Sequence, residues 1–133
     1  EKFEKFAKIR RNNIERYLEN LKDVPEIILP DDSIKPNWMA IPLQYENRME
    51  LLNFLEDNNI QTRVTFAGNI TRHPTYREYL KDFENSDKIM KDGFLLGAHH
   101  GLKLEDVDYV CNKIKEFLKK KVSSKWINNT KSW

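Results

Sequence analysis

Residues 59–74 have the sequence NIQTRVTFAGNITRHP, which joins a predicted strand to a polar loop. Residues 60–66 are rich in β-branched and apolar side chains, as is typical of a short strand. Residues 67–74 contain Gly68 and Asn69 and end at Pro74, so they predict a loop. This strand is expected to belong to a sheet. The sequence on either side of it indicates which elements pack on that sheet.

Long helices are predicted on both sides of this unit. The first segment repeats apolar residues at helical spacing and should end near Lys22, because Pro25 follows. The second begins near Leu104, and the basic run at residues 119–121 is expected at its end, where it would complement the helix dipole. The apolar stripe of this second helix comprises Leu104, Val107, Val110, Cys111, Ile114, Phe117 and Leu118.

Further strands and short helices are predicted between the long helices. The strands are residues 27–29, 37–44 and 94–96. Pro42 cannot donate to a ladder, so its strand should lie at a sheet edge or contain a bulge. One helix follows Asn47, which with Glu50 resembles a capping box, and ends at Asn58 and Asn59. Another is capped by Ser86 and ends at Gly93. This order predicts an α/β (α+β) fold, a small sheet with helices packed on it.

Composition restricts the compartment and the partners. The chain has 23 basic and 21 acidic residues, a balance that argues against a nucleic-acid partner. Its single cysteine, Cys111, excludes an intrachain disulfide. No secretory signal or membrane span is recognised, so a cytoplasmic protein with no membrane partner is expected.

The ends of the chain suggest a piece of a longer protein. The sequence starts at Glu1, without methionine, inside a strong helical pattern. Residues 1–121 are predicted to form one domain. Residues 122–133 are predicted to be a loose tail, whose Trp126 and Trp133 could dock elsewhere.

Two polar clusters could have chemical roles. Residues 66–74 combine a carboxamide, a guanidinium and an imidazole, which suit phosphate or carboxylate binding, although a plain surface loop explains them too. His99 and His100 follow a predicted strand; adjacent residues on an extended segment point in opposite directions, so a shared metal is not favoured. Substrate contact or a structural role remains open for them. Cys111 is expected to be inert packing.

Residues 59–74 and 93–102 together closely resemble the DegT/DnrJ/EryC1/StrS family of pyridoxal-phosphate enzymes. The form FAGN-x-x-R-x-P, from Phe66 to Pro74, is most similar to the sugar 3-dehydratase branch. The resemblance implies that this chain is the C-terminal small domain of a fold-type I aminotransferase, without the large domain that would precede it. It also implies that the intact enzyme is a homodimer. Lys103 departs from the family pattern, since a helix-capping threonine is expected there.

The resemblance also implies a function. The intact enzyme would use pyridoxal or pyridoxamine phosphate, bound mainly by the missing large domain, to dehydrate a nucleotide-linked 4-keto-6-deoxyhexose for deoxysugar or lipopolysaccharide O-antigen synthesis. Sugar amination is the alternative within the family, and a non-catalytic interaction module is the alternative outside it. Whether an iron–sulfur cluster is present stays open.

No catalytic, cofactor-binding or metal-binding residue is assigned to this chain. The expected substrate-binding residues are Phe66, Asn69, Arg72, His73, His99 and His100. For these to act together, the strands ending near Phe66 and Leu96 must end on the same side of the sheet.

Overall fold

A computed structural model describes the backbone of residues 1–130 and the side chains of residues 1–123. Its helices and strands alternate along the chain, much as the hydrophobic pattern predicts. Two short 3₁₀ helices, Ile70–Arg72 and Pro74–Tyr79, occupy the segment that follows the second strand. The main elements are α1 (Lys2–Leu21), β1 (Ala40–Gln44), α2 (Arg48–Asp57), β2 (Thr62–Val64), α3 (Glu84–Asp92), β3 (Gly93–Gly97) and α4 (Leu104–Thr130).

The three strands form an antiparallel sheet in the order β1-β3-β2. β1 lies at an edge, which is one of the two alternatives that Pro42 predicts. Its neighbours Ile41 and Leu43 face Leu96 and Phe94 of β3. The predicted strand at residues 27–29 is reduced to one bridge, between Ile28 and Gln44. Pro25 and Pro30 flank this bridge and cannot donate to a ladder, which explains why the strand does not extend.

The core lies between one face of the sheet and the helices α1, α2 and α4. Alternate strand residues point into it, as expected from the two-residue period of a strand. Cys111 on α4 is buried there, and burial raises the pKa of its thiol to about 12, so it acts as packing. The most deeply buried side chains of the core include Ile14, Tyr17, Leu21, Ile41, Leu43, Leu51, Leu55, Phe94, Leu96, Val107 and Ile114.

The helix ends depart from the predicted capping in three places. Asn47 precedes α2 as predicted, but its side chain makes no capping hydrogen bond. α3 begins after Phe83 and not at Ser86, because the carboxylate of Asp87 accepts the Phe83 N–H at 3.1 Å. Lys103 is compensated in a similar way, since its N–H donates to the Asp106 carboxylate at 2.8 Å. At the starts of α3 and α4, a carboxylate inside the helix therefore accepts the N–H of the residue before the helix. The end of α2 agrees with prediction, since Asn59 has a left-handed φ of 60°.

Residues 122–130 belong to the predicted tail, and their backbone is helical and continues α4 to Thr130. The basic run at residues 119–121 therefore lies inside the helix and not at its end. Lys120 pairs with Glu116 and Lys121 with Glu50. The helix continues because no glycine or proline occurs after Gly101. The predicted docking of Trp126 and Trp133 falls outside the side chains that the structure describes.

Among the described residues, no helix combines the length and the apolar character that crossing a bilayer would require.

Candidate functional site

The loop at residues 66–74, named here the FAGN loop, starts from a strained residue. Phe66 has a φ of 36°, in the left-handed region that bulky side chains avoid. The residue is 89% exposed, so apolar burial does not compensate for the strain. Such backbone conformations cost on the order of 1–3 kcal/mol and persist only when the surroundings impose them. The loop therefore presents an aromatic ring to the outside at an energetic cost.

Asn69 is buried, and its side chain makes hydrogen bonds that stabilise the FAGN loop. Its Oδ1 accepts hydrogen bonds from the backbone N–H and the hydroxyl of Thr71, at 3.0 and 2.7 Å. Its Nδ2 donates to the Lys81 carbonyl and to Asp87 Oδ1, both at 2.9 Å. With 2% of its surface exposed, Asn69 has no hydrogen-bonding capacity left for a substrate.

Arg72 is also held inside the loop. Its Nε donates to Asp87 Oδ1, its Nη2 reaches Asp87 Oδ2 at 2.9 Å, and the same Nη2 reaches Asp82 at 2.7 Å. The hydrogen bond from Arg72 holds the pKa of Asp87 far below its usual range, and Asp87 in turn raises the pKa of Arg72. A phosphate would have to compete with two carboxylates for this guanidinium.

His73 lies at the end of the FAGN loop. Its Nε2 is 3.1 Å from the Ala67 carbonyl, so the ring closes the loop on itself. Of the four substrate-binding residues predicted in this loop, Phe66 is the one whose side chain is presented outward. The other three hold the loop together.

The two histidines after β3 are exposed and are supported by α1. His99 Nδ1 accepts the Gly101 N–H at 3.2 Å, while His100 stacks on Phe6 with ring centroids 3.9 Å apart. Asn13, which is 1% exposed, donates to the His99 and Leu102 carbonyls at 3.0 and 3.3 Å. These contacts fix the backbone of the loop and leave the Nε2 of His99 available.

The predicted single site is contradicted by the sheet topology. β2 runs antiparallel to β3, and Val64 pairs with Phe94 near the start of β3. The FAGN loop therefore lies near the start of β3, whereas His99 follows its end. Within one chain the two clusters lie at opposite ends of the sheet, and Arg72 does not join His99.

A cleft of about 690 Å³ opens beside His99. Its floor includes Gly97, and its walls come from the approach to β2 and from the first turns of α4. Arg63 lines it and has no ion-pair partner among the described side chains. The size suits a small organic ligand. Arg63 was not among the predicted site residues. A charged side chain in the middle of the predicted strand at residues 60–66 could have indicated it as a candidate.

The described side chains do not by themselves fit pyridoxal phosphate. A Schiff-base lysine is activated by desolvation, and none of the lysines whose side chains are described is buried. Nor do the described residues contain a group of three metal-ligating side chains.

Comparison with known proteins identifies the family. The lipopolysaccharide biosynthesis protein RfbH of Salmonella typhimurium (strain LT2) is 33% identical, over 88% of this chain and 30% of its own length. The dTDP-4-dehydro-2,6-dideoxy-D-glucose 3-dehydratase of Saccharopolyspora spinosa is 35% identical, over 90% of this chain and 28% of its own length. This chain therefore spans less than a third of either relative.

The fold also matches that of solved structures. The E. coli GDP-4-keto-6-deoxy-D-mannose-3-dehydratase with bound hydrated PLP aligns with a TM-score of 0.76 at 21% identity, over 85% of this chain and 32% of that one. This likeness confirms the predicted fold class, a small sheet with helices packed on it as part of an aminotransferase fold. The family model for the DegT/DnrJ/EryC1/StrS aminotransferases matches residues 1–115, and the chain belongs to that family.

Proposed function

We propose that this chain is the small domain of a nucleotide-sugar 3-dehydratase that acts on a nucleotide-linked 4-keto-6-deoxyhexose. The observation that supports this most directly is the pair of relatives at 33% and 35% identity, one named for lipopolysaccharide biosynthesis and the other a 3-dehydratase. A third relative, at 22% identity, is the GDP-4-keto-6-deoxy-D-mannose 3-dehydratase of E. coli O55:H7. The product would enter deoxysugar or O-antigen synthesis.

The rest of the polypeptide would hold pyridoxal or pyridoxamine phosphate, because none of the lysines within residues 1–123, whose side chains the structure describes, is buried. When bound, that cofactor supplies an electron sink for bond cleavage beside the sugar carbonyl. The intact enzyme would be a cytoplasmic homodimer. In it, this domain would contribute binding and orientation and not the reacting groups.

Phe66 is the proposed contact of the FAGN loop with the nucleotide sugar, since its ring is exposed while Asn69 and Arg72 are engaged within the loop. His99 and Arg63 would meet a polar or anionic part of a ligand in the cleft at the other end of the sheet. Because one chain separates these two ends, they would serve different parts of the substrate or different active sites of the dimer.

Sugar amination is the second candidate, favoured by the family description itself. The two reactions give different products from the same keto sugar. Dehydration followed by release leaves a product with one oxygen fewer, whereas transamination introduces a nitrogen.

The test is mass spectrometry of the product formed by the full-length enzyme with pyridoxal phosphate, an amino donor and a nucleotide-linked 4-keto-6-deoxyhexose. Loss of the C3 oxygen is the expected result. A product with an added nitrogen would establish the aminotransferase instead. Absence of any product with every nucleotide tested, together with capture of a stable protein partner, would favour the interaction module.

A further inference from the structure

We propose that Asn69, Arg72 and Asp87 form a positioning clasp that holds Phe66 in its strained, outward conformation. This inference rests on the proposed function in one respect, namely that Phe66 contacts the nucleotide sugar. Asp87 belongs to α3 and was not among the predicted site residues. In this arrangement the arginine of the FAGN-x-x-R-x-P form acts through another residue and does not bind the substrate itself.

The first observation is the combination of strain and exposure at Phe66. A phenylalanine with a φ of 36° and 89% exposure has neither a favoured backbone nor a buried ring. Strained residues of this kind cluster at functional sites. The chain must therefore supply contacts that keep the backbone in place.

The second observation is the convergence of donors on Asp87. Its carboxylate accepts from Asn69 Nδ2 at 2.9 Å, from Arg72 Nη2 at 2.9 Å and from the Phe83 N–H at 3.1 Å. These donors come from the loop and from the start of α3, so one carboxylate joins the loop to a helix. Ionised, bidentate bonds of this type are the strong ones among side-chain hydrogen bonds.

The third observation is the close packing behind the loop. Gly68 has a φ of 60°, and a Cβ at this position would lie 2.3 Å from the Cβ of Met90 on α3. The loop backbone is therefore pressed against α3 two residues after Phe66. Together with the carboxylate of Asp87, this contact leaves the loop little freedom to move.

The kinetic test is a double-mutant cycle between Arg72 and Phe66 in the full-length enzyme. We expect Arg72→Ala and Phe66→Ala each to lower kcat/KM by about tenfold or more, the scale of one lost charged or packing contact. The double variant should be no worse than Phe66→Ala, since Arg72 then has nothing left to position. Arg72→Lys should recover part of the loss. The control is Arg77→Ala, which removes the same charge from the 3₁₀ helix that follows the loop, where Arg77 makes no ion pair with any described side chain.

A second measurement keeps the clasp testable even if the proposed reaction is wrong. Hydrogen exchange on full-length variants, with Asp87→Asn added to the set, should show faster exchange at residues 66–73 in Arg72→Ala and Asp87→Asn but not in Arg77→Ala. Unchanged exchange at these residues would overturn the clasp, whatever the enzyme catalyses. Additive kinetic losses in the double variant would overturn it too, because Arg72 would then act independently of Phe66. Faster exchange without any turnover would refute the proposed reaction and leave the clasp standing.

Discussion

At the scale of single residues, Gly68 is the position where a side chain is least compatible with the structure. Its left-handed backbone and the 2.3 Å approach to Met90 leave no space for a methyl group. We expect Gly68→Ala to reduce the free energy of unfolding by about 2 kcal/mol or more. Thermal or urea unfolding of the chain measures this change.

Gly101→Ala is the matched control. A Cβ at Gly101 would meet the His99 ring at 3.1 Å, and an exposed ring can move aside. Gly101→Ala should therefore reduce the free energy of unfolding clearly less than Gly68→Ala does. Equal effects of the two substitutions would show that the FAGN loop is not packed against α3.

Asn13 is a second residue with a specific prediction. It is buried on α1, and its amide donates to carbonyls of the loop after β3. Asn13→Ala removes both of these hydrogen bonds, although the His99 carbonyl still accepts the Leu102 N–H, and should cost about 1–3 kcal/mol of unfolding free energy. The neighbouring Asn12 is exposed, so Asn12→Ala should change stability by less than about 0.5 kcal/mol. If urea titrations gave the same unfolding midpoint for both variants, the hydrogen bonds of Asn13 would not stabilise the loop after β3.

At the scale of elements, α1 and α4 are joined by a pair of charges that responds to pH. Arg16 Nε and Nη2 bind the two oxygens of Asp108 at 2.6 and 2.7 Å. Arg16, with Asn20, lowers the pKa of Asp108 to about 2. Because the folded pKa lies below the unfolded value, the pair stabilises the fold above about pH 4 and is lost as the pH falls towards 2.

Urea unfolding of the wild type and of Asp108→Asn between pH 2 and pH 7 tests this pair. The stability difference between the two proteins should be largest near neutral pH and should shrink as the pH falls through the pKa of Asp108. Other carboxylates with lowered pKa values, such as Glu116, are common to both proteins and cancel in the difference. A difference that is independent of pH would contradict the role of Asp108.

The first third of α1 gives another prediction at this scale. Phe3 is 76% exposed, whereas the buried residues of this helix all lie between Asn13 and Leu21. Exposed apolar residues of this kind promote association. The isolated chain should therefore self-associate, or its first turns should be mobile, and Phe3→Glu should weaken the association. A strict monomer in sedimentation velocity, with strong exchange protection across residues 3–18, would exclude both outcomes.

At the scale of the whole molecule, the long helices and the edge strand could be predicted because each depends on a local repeat. α1 and α4 follow the helical spacing of their apolar residues, and Pro42 identifies an edge. The continuation of α4 to Thr130 was also visible in principle, since glycine and proline are absent there. The start of α3 could not be predicted in this way, because the carboxylate that accepts the Phe83 N–H comes from Asp87, a residue within the helix.

The candidate site was less predictable, because it depends on strand direction and on contacts between distant residues. No local pattern reveals that β2 runs antiparallel to β3, so the placement of the two polar clusters at opposite ends of the sheet could not be read from the sequence. Arg72 has the residue type of a phosphate ligand, and its engagement with Asp82 and Asp87 appears only in three dimensions. The family resemblance directs attention to the FAGN loop, and the structure distinguishes its exposed residue, Phe66, from the residues that hold the loop together.

In the proposed function, this domain contacts a nucleotide sugar through the FAGN loop of an intact family enzyme. Hydrogen exchange of the full-length enzyme, measured with and without a nucleotide-linked 4-keto-6-deoxyhexose, tests this contact. We expect slower exchange at residues 64–73 when the sugar is bound, with α2 unchanged as an internal reference. Unchanged exchange at residues 64–73, while the bound sugar protects other parts of the enzyme, would show that the FAGN loop does not contact the substrate.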